Sequence, residues 1–180
     1  IELSDVVFLV VPDQVLTFGP GFRIPGIIGF PVLDALGEVE FRSDGVLRIP
    51  GRIPDRSARN LALRYLTPLV RVRVLGQEAV CELDTGANHT SLHRPFYREH
   101  RQRIEAMGRP DSLQVAGAGS QRVIPTFVLS DVRIELVDTA AILSELSVYT
   151  ESVAREPDDD ADCRLGLDLL AEFQGYVMNL

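Results

Sequence analysis

A short pattern that occurs twice limits the folds open to this chain of 180 residues. The letters LSDV stand at residues 3–6 and again at 129–132, and each copy opens a segment with the apolar pattern of a strand. Downstream of each copy come a hydrophobic residue, a glycine, a short apolar helical turn and a last strand, at 27–41 and at 164–180. An internal repeat of this kind predicts two similar structural units in one chain.

The two copies of the glycine pattern can be aligned residue by residue. The matched residues are Gly29 with Gly166, Val32 and Leu33 with Leu169 and Leu170, and Leu36 with Phe173. The second copy is preceded by a long strand-rich segment, whereas the chain begins too close to the first copy to contain one. We therefore expect residues 1–50 to be the latter half of a first unit and residues 61–180 to be a complete second unit. The polar segment 51–60 contains proline and lacks periodicity, which predicts a linker.

Short apolar runs separated by turn residues predict a mainly β fold. The predicted strands are Val6–Val11, Glu38–Phe41, Val46–Ile49, Leu69–Leu75, Ala79–Leu83, Val123–Val128, Val132–Val137 and Leu146–Tyr149. Ser43-Asp44-Gly45 predicts a hairpin turn between two of them. The best candidate for a long helix is Arg94–Met107, because Pro95 suits its first turn and Gly108 can end it. Its arginines alternate with acidic residues, which favours a solvated surface over a basic binding face.

The composition excludes some kinds of partner. A net charge of −8 argues against a general nucleic-acid-binding protein, since phosphate contacts require positive charge. No apolar run approaches the roughly 20 residues that a membrane helix needs, so we expect no membrane insertion. The acidic segment 151–162 lacks the spacing of a calcium-binding EF-hand loop and is predicted to be a solvated loop. We therefore expect neither a metal nor a cofactor.

The segment CELDTGANHTSL at 81–92 contains the residues that suggest a reaction. An apolar run leads into Asp84-Thr85-Gly86, and an aspartate in such a turn can activate water when a second carboxylate shares its proton. Two carboxylates about 3 Å apart cannot both ionise, so one keeps its proton and polarises the scissile carbonyl. The motif occurs once in this chain, and the second carboxylate has to come from elsewhere.

The extended pattern resembles the retropepsin-like aspartic peptidases, the family of the retroviral proteases and their bacterial relatives. ELDTGANHTSL resembles the active-site segment of that family, and RLGLDLL and IIGFPVL both resemble its hydrophobic-glycine segment. GYVMNL is similar to its closing strand. The resemblance covers 61–180 as one lobe and 1–50 as the latter part of another, as in bacterial relatives with two tandem lobes. It implies a closed β-barrel lobe with one or two short helices.

The resemblance also implies roles for individual residues. It makes Asp84 the catalytic carboxylate, Thr85 the grip between lobes and Gly86 the source of a carbonyl that accepts from the substrate backbone, with Ala87, Asn88 and His89 lining the neighbouring peptide subsites. The family covers its cleft with a glycine-rich hairpin flap, and the nearest candidate is VAGAGS at 115–120. Gly117, Ala118 and Gly119 would then contact the substrate, although a plain loop accounts for this segment equally well.

Two sources of the second carboxylate are open. It can come from a lost first half of lobe one, upstream of Ile1, or from a homodimer that pairs Asp84 with Asp84 of a second molecule. Asp168 is a poor candidate, because its counterpart in the first copy is Pro31. The substrate would be a peptide or protein. The alternative function is a catalytically inactive retropepsin-like domain that serves as a binding or dimerisation module.

The cysteines and histidines allow further alternatives. The fold implied by the resemblance brings Cys81 and Cys163 onto neighbouring strands, where they form either two packed thiols or a disulfide in an oxidising compartment. The resemblance favours a periplasmic or secreted protein. His89 and His93 have the spacing of a helical zinc pair. In an extended segment they would lie about 13 Å apart, so a metal site is not expected.

Overall fold

The computed structural model of this chain describes residues 9–18, 22–50, 61–117, 120–152 and 161–179. Strands β1 to β7 are Thr17–Phe18, Phe22–Arg23, Glu38–Arg42, Leu47–Arg48, Leu61–Arg64, Thr67–Val74 and Gln77–Leu83. Strands β8 to β13 are Ser91–Leu92, Arg109–Gly117, Ser120–Leu136, Thr139–Tyr149, Cys163–Leu165 and Gly175–Asn179. Helices α1, α2 and α3 are Phe30–Leu36, Arg94–Met107 and Leu167–Leu170. The predicted mainly β class is confirmed, and the predicted linker at 51–60 lies outside the described residues.

The main sheet has eight strands in the order β5-β6-β7-β12-β8-β11-β10-β9. Because β6 also pairs with β10, the six strands from β6 to β10 close into a ring. Two neighbouring pairs are parallel, β7 with β12 and β8 with β11, and the others are antiparallel. The ring encloses the hydrophobic core, to which β6 contributes Val70, Val72 and Val74. Arg71 and Arg73 alternate with them and are exposed, as the sequence pattern predicts.

Helix α2 has the bounds predicted from the sequence. It buries Phe96 and Ile104 against the barrel, while Arg98, Arg101 and Arg103 are exposed. Arg101 donates to Glu105 at 2.8 Å, which confirms the prediction of a solvated, charge-paired helix surface. Strand β9 starts immediately after Gly108, where a side chain would lie 2.9 Å from the Ile104 carbonyl oxygen. This strand is missing from the sequence prediction because its first half is polar and contains a proline, and its second half has only scattered apolar residues.

A second sheet joins the end of the chain to residues near its beginning, in the order β13-β3-β4. The hairpin turn predicted at Ser43–Gly45 is confirmed, since Arg42 N donates to the Val46 carbonyl at 3.0 Å and Gly45 has a φ of 81°. Strand β13 pairs antiparallel with β3, and Val177 lies opposite Glu40. The alignment of Gly29 with Gly166 makes Val177 the counterpart of Glu40. The two strands therefore pair at corresponding residues, as a local two-fold axis between them requires.

Candidate functional site

Asp84 follows the last residue of β7 and lies in a tight turn. Its backbone N donates to the carbonyl of Leu165 at 3.0 Å, and Ala87 N donates back to the Asp84 carbonyl at 3.1 Å. Gly86 N donates to the side-chain oxygen Oδ1 at 2.9 Å. The side chain is 43% exposed. The turn thus presents a carboxylate to solvent from a hydrogen-bonded backbone, with one oxygen held by Gly86.

The residues after this turn are bonded to the start of α3. Leu167 N donates to the Ala87 carbonyl at 2.9 Å, and Asp168 N donates to the Asn88 carbonyl at 3.3 Å. At Gly166 a Cβ would lie only 2.6 Å from the carbonyl carbon of His89. A glycine is required here because two backbone segments come too close for any side chain. The hydrophobic-glycine segment therefore fixes the turn that contains Asp84.

Asp168 is used within this packing. Both carboxylate oxygens accept from the Thr90 backbone N, Oδ1 at 2.8 Å and Oδ2 at 2.9 Å. Oδ1 also accepts from the Thr90 hydroxyl at 2.6 Å and from Leu169 N at 2.7 Å. The Thr90 hydroxyl in turn accepts from Gly166 N at 3.0 Å. A carboxylate with this many donors joins two chain segments and has little capacity left for a substrate.

The two histidines that share zinc-like spacing lie in different surroundings. His89 is 75% exposed, and its Nδ1 lies 3.8 Å from Asp168 Oδ2. His93 is buried before α2, where its ring stacks on Tyr149 with centroids 5.4 Å apart. Across the described part of the chain, no three histidine, cysteine or acidic side chains group as metal ligands would. The predicted subsite residues Asn88 and His89 are both exposed beside the Asp84 turn.

Two paired strands border the segment that the resemblance assigns as a flap. Strands β9 and β10 pair over nine residues, up to Gly117 opposite Ser120. Ala118 and Gly119 lie outside the described residues. The backbone on both sides of them has the hairpin form that the resemblance implies for a flap.

Cys81 and Cys163 form a disulfide, which decides between the two alternatives left open by the sequence. They lie directly opposite each other on the parallel strands β7 and β12, with Cα atoms 4.4 Å apart. The same two strands lead directly to Asp84 and Gly166. The disulfide therefore joins the two segments that build the site, three residues before each of them.

A row of alternating charges beside Asp84 was missed by sequence reasoning. Arg64 is 3.4 Å from Glu82, Glu82 is 3.3 Å from Arg164, and Arg164 Nε is 3.5 Å from Asp84 Oδ2. Glu82 and Arg164 are opposite each other in the pairing of β7 and β12. The signal available in the sequence is an arginine in the otherwise apolar run RLGL, where the first copy has Ile27.

Comparison with known proteins leaves the family of this chain open. No model of a known protein family matches it, and no curated protein does. Within the described residues, no helix combines the length and the apolar character needed to cross a bilayer.

Proposed function

We propose that this chain contributes one catalytic carboxylate, Asp84, to an aspartic endopeptidase of the retropepsin-like kind. The observation that carries the proposal is a partly exposed carboxylate on a turn that is held by backbone bonds to β12 and α3. Preorganised catalytic groups are supported in this way by a surrounding layer of hydrogen bonds. The closed barrel and the β9–β10 hairpin also agree with the lobe and flap of that family.

The proposed reaction is hydrolysis of a peptide bond. The ionised carboxylate of the pair takes a proton from a water molecule, whose oxygen bonds to the carbonyl carbon. The protonated carboxyl gives its proton to the carbonyl oxygen. When the C–N bond breaks, the leaving nitrogen takes up the proton that the first carboxyl took from water. A hydroxyl of the intermediate gives its proton to the other carboxylate as the new carboxylic acid forms, so the pair again shares one proton. Asn88 and His89 would line the subsites next to Asp84, and Gly117 to Gly119 would cover the substrate.

We propose that the second carboxylate belongs to a first lobe that residues 1–50 would complete. The two-fold register of β3 and β13 supports this, because in such a pair of lobes the corresponding strands meet at the axis. A homodimer that pairs Asp84 with Asp84 is the other source. It has less support, since one edge of β13 is already paired with β3 of the same chain.

The alternative function is a binding or dimerisation module without activity. In its favour, the charged side chain in contact with Asp84 is an arginine, and no carboxylate within the described residues is recorded in contact with it. This alternative predicts that the longer protein also cleaves nothing.

The test is cleavage of an unfolded protein at acidic and at neutral pH, by this chain and by a longer protein that includes upstream sequence. Asp84→Asn should lower kcat by roughly 10³-fold or more, since removal of one member of a cooperating catalytic set costs about this much. Asp34→Asn makes the same chemical change on an exposed helical carboxylate and should leave kcat unchanged. If the longer protein cleaves nothing, or Asp84→Asn is as active as wild type, the peptidase proposal fails.

The disulfide supports an extracytoplasmic setting for this function. Disulfides persist in oxidising compartments such as the periplasm or the cell exterior. Sedimentation distinguishes the two sources of the second carboxylate, because the homodimer arrangement requires two copies of Asp84. If this chain is a strict monomer, it cannot form a site by dimerisation. An active monomer of the longer protein excludes the homodimer arrangement.

A further inference from the structure

Arg164 lies beside the catalytic candidate Asp84 in a way that the Asp-Thr-Gly motif does not explain. Its Nε is 3.5 Å from Asp84 Oδ2, while Gly86 N donates to the other carboxylate oxygen at 2.9 Å. The two oxygens of Asp84 therefore face two different donors. We propose that Arg164 is a positioning residue that fixes the orientation of the Asp84 carboxylate. This inference rests on the peptidase function proposed above.

The Nε atom of Arg164 supplies the first argument. It is buried and makes no hydrogen bond to any residue in the described part of the chain. Leaving a buried donor without an acceptor is unfavourable, and a charged donor more so. Because Asp84 Oδ2 is 3.5 Å away, a small rotation of that carboxylate satisfies the donor. The arrangement therefore favours one orientation of Asp84.

The rest of the charged row keeps Arg164 in place. Its Nη2 lies 3.3 Å from Glu82 Oε2, and Glu82 Oε1 lies 3.4 Å from Arg64. Two cations and two carboxylates balance along this row, so Arg164 is not a surplus charge that would select an acidic substrate. His89 Nδ1 lies 3.8 Å from Asp168 Oδ2, and neither residue belongs to this row.

The first copy of the repeat has no arginine at the position of Arg164. The alignment of the two copies places Ile27 at the position of Arg164, and Ile27 is an apolar side chain that is 66% exposed. A second carboxylate supplied next to the first copy would lack an arginine there. We therefore expect the arginine contact to be specific to Asp84 and not to follow from the repeated pattern.

The first experiment uses this chain and needs no activity. The ¹³Cγ resonance of Asp84, assigned by its loss in Asp84→Asn, is compared at pH 7 in wild type, Arg164→Met and Arg164→Lys. The Met variant keeps most of the side-chain volume and should shift the resonance, and the Lys variant should lie between it and wild type. Arg101→Met removes an arginine whose Nε bonds a carboxylate on α2 and should have no effect. An unchanged resonance in Arg164→Met overturns the proposal.

The second experiment measures peptidase kinetics in the longer protein. Arg164→Met should lower kcat by roughly ten- to a hundredfold, because a misplaced catalytic group costs about this much. KM should stay within about twofold, and Arg164→Lys should recover part of kcat, as expected of positioning and not of substrate binding. Unchanged kcat in a folded Arg164→Met protein contradicts the proposal. A wild-type protein that cleaves nothing refutes the peptidase function instead, and the resonance measurement then decides whether Arg164 positions Asp84.

Discussion

Residues 27–42 and 164–179 have similar sequences, but their surroundings differ. In the second segment, Gly166 packs against the turn that contains Asp84, and Leu169 is fully buried in the barrel core. In the first segment, α1 has no buried residue, and a Cβ at Gly29 would meet only a Pro31 atom at 3.6 Å. Among the described residues, the same pattern is thus seen once with a partner segment and once without one.

The difference between the two copies indicates the structural role of the pattern. The glycine, the short helix and the strand do not make a reactive site by themselves. They form a support for a turn that carries an aspartate, and the disulfide and Asp168 strengthen this support in the second copy. The first copy has Gly26 and Pro31 at the positions of Cys163 and Asp168, so a turn packed there would be held by other means.

The disulfide gives the largest expected difference in stability between the copies. Reduction of the Cys81–Cys163 bond should lower the free energy of unfolding by about 2–5 kcal/mol, because the bond restricts the unfolded chain over 82 residues. Denaturant unfolding with and without reductant measures this change. Cys81→Ala/Cys163→Ala should be equally stable in both buffers. If reduction leaves the wild-type midpoint unchanged, the second copy does not depend on the disulfide.

The two glycines give a matched pair of substitutions. Both cap the N-terminus of a short helix with negative φ, −90° at Gly29 and −105° at Gly166, so the capping cost of alanine is similar at both. Gly166→Ala should cost about 1–3 kcal/mol or more, because its Cβ would collide with the His89 backbone. Gly29→Ala should cost less than about 1 kcal/mol. Thermal and denaturant unfolding of the two variants would measure both, and equal costs would mean that the first copy is packed as tightly as the second.

The sequence predicted the elements whose signals are local. Helix α2 was found because Pro95 and Gly108 mark its ends, and β3 with its turn was found from alternation and Ser43–Gly45. The sequence predicts two strands where β10 is one, because Ser130-Asp131 interrupts its apolar pattern. The strand continues through both, with Asp131 at a φ of 52°. Strands β8 and β12 have two and three residues, too few for a period to be visible.

The residues of the candidate site fall into the same two groups, those with a local sequence signal and those without one. Asp84 and its turn carry a motif, so they were found from the sequence. The bonds from Thr90 to Asp168 and the contact of Arg164 with Asp84 depend on the parallel pairing of β7 and β12, which joins segments about 80 residues apart in the chain. No local pattern encodes such a pairing. Only the break in apolar character at Arg164 hinted at a special role.

The smallest expected effect concerns the contact between the two copies. Tyr176 of β13 stacks on Phe41 of β3, with ring centroids 4.8 Å apart, and burial raises the pKa of its hydroxyl above the usual value. A raised pKa means that folding favours the neutral phenol, so this contribution to stability is complete below about pH 10, where a free tyrosine ionises. It is lost as the pH rises through the higher pKa of the folded protein.

Tyr176→Phe should keep the stacking and weaken the loss of stability at alkaline pH, as measured by urea unfolding from pH 8 to 11. Tyr65→Phe changes a tyrosine that is 94% exposed and serves as the matched control, with an alkaline profile like that of wild type. Because Tyr176 is only partly buried, the difference should be small, and it should appear in the alkaline range alone. An equal alkaline decline in wild type and Tyr176→Phe would mean that the junction of β3 and β13 does not limit the stability of the chain at high pH.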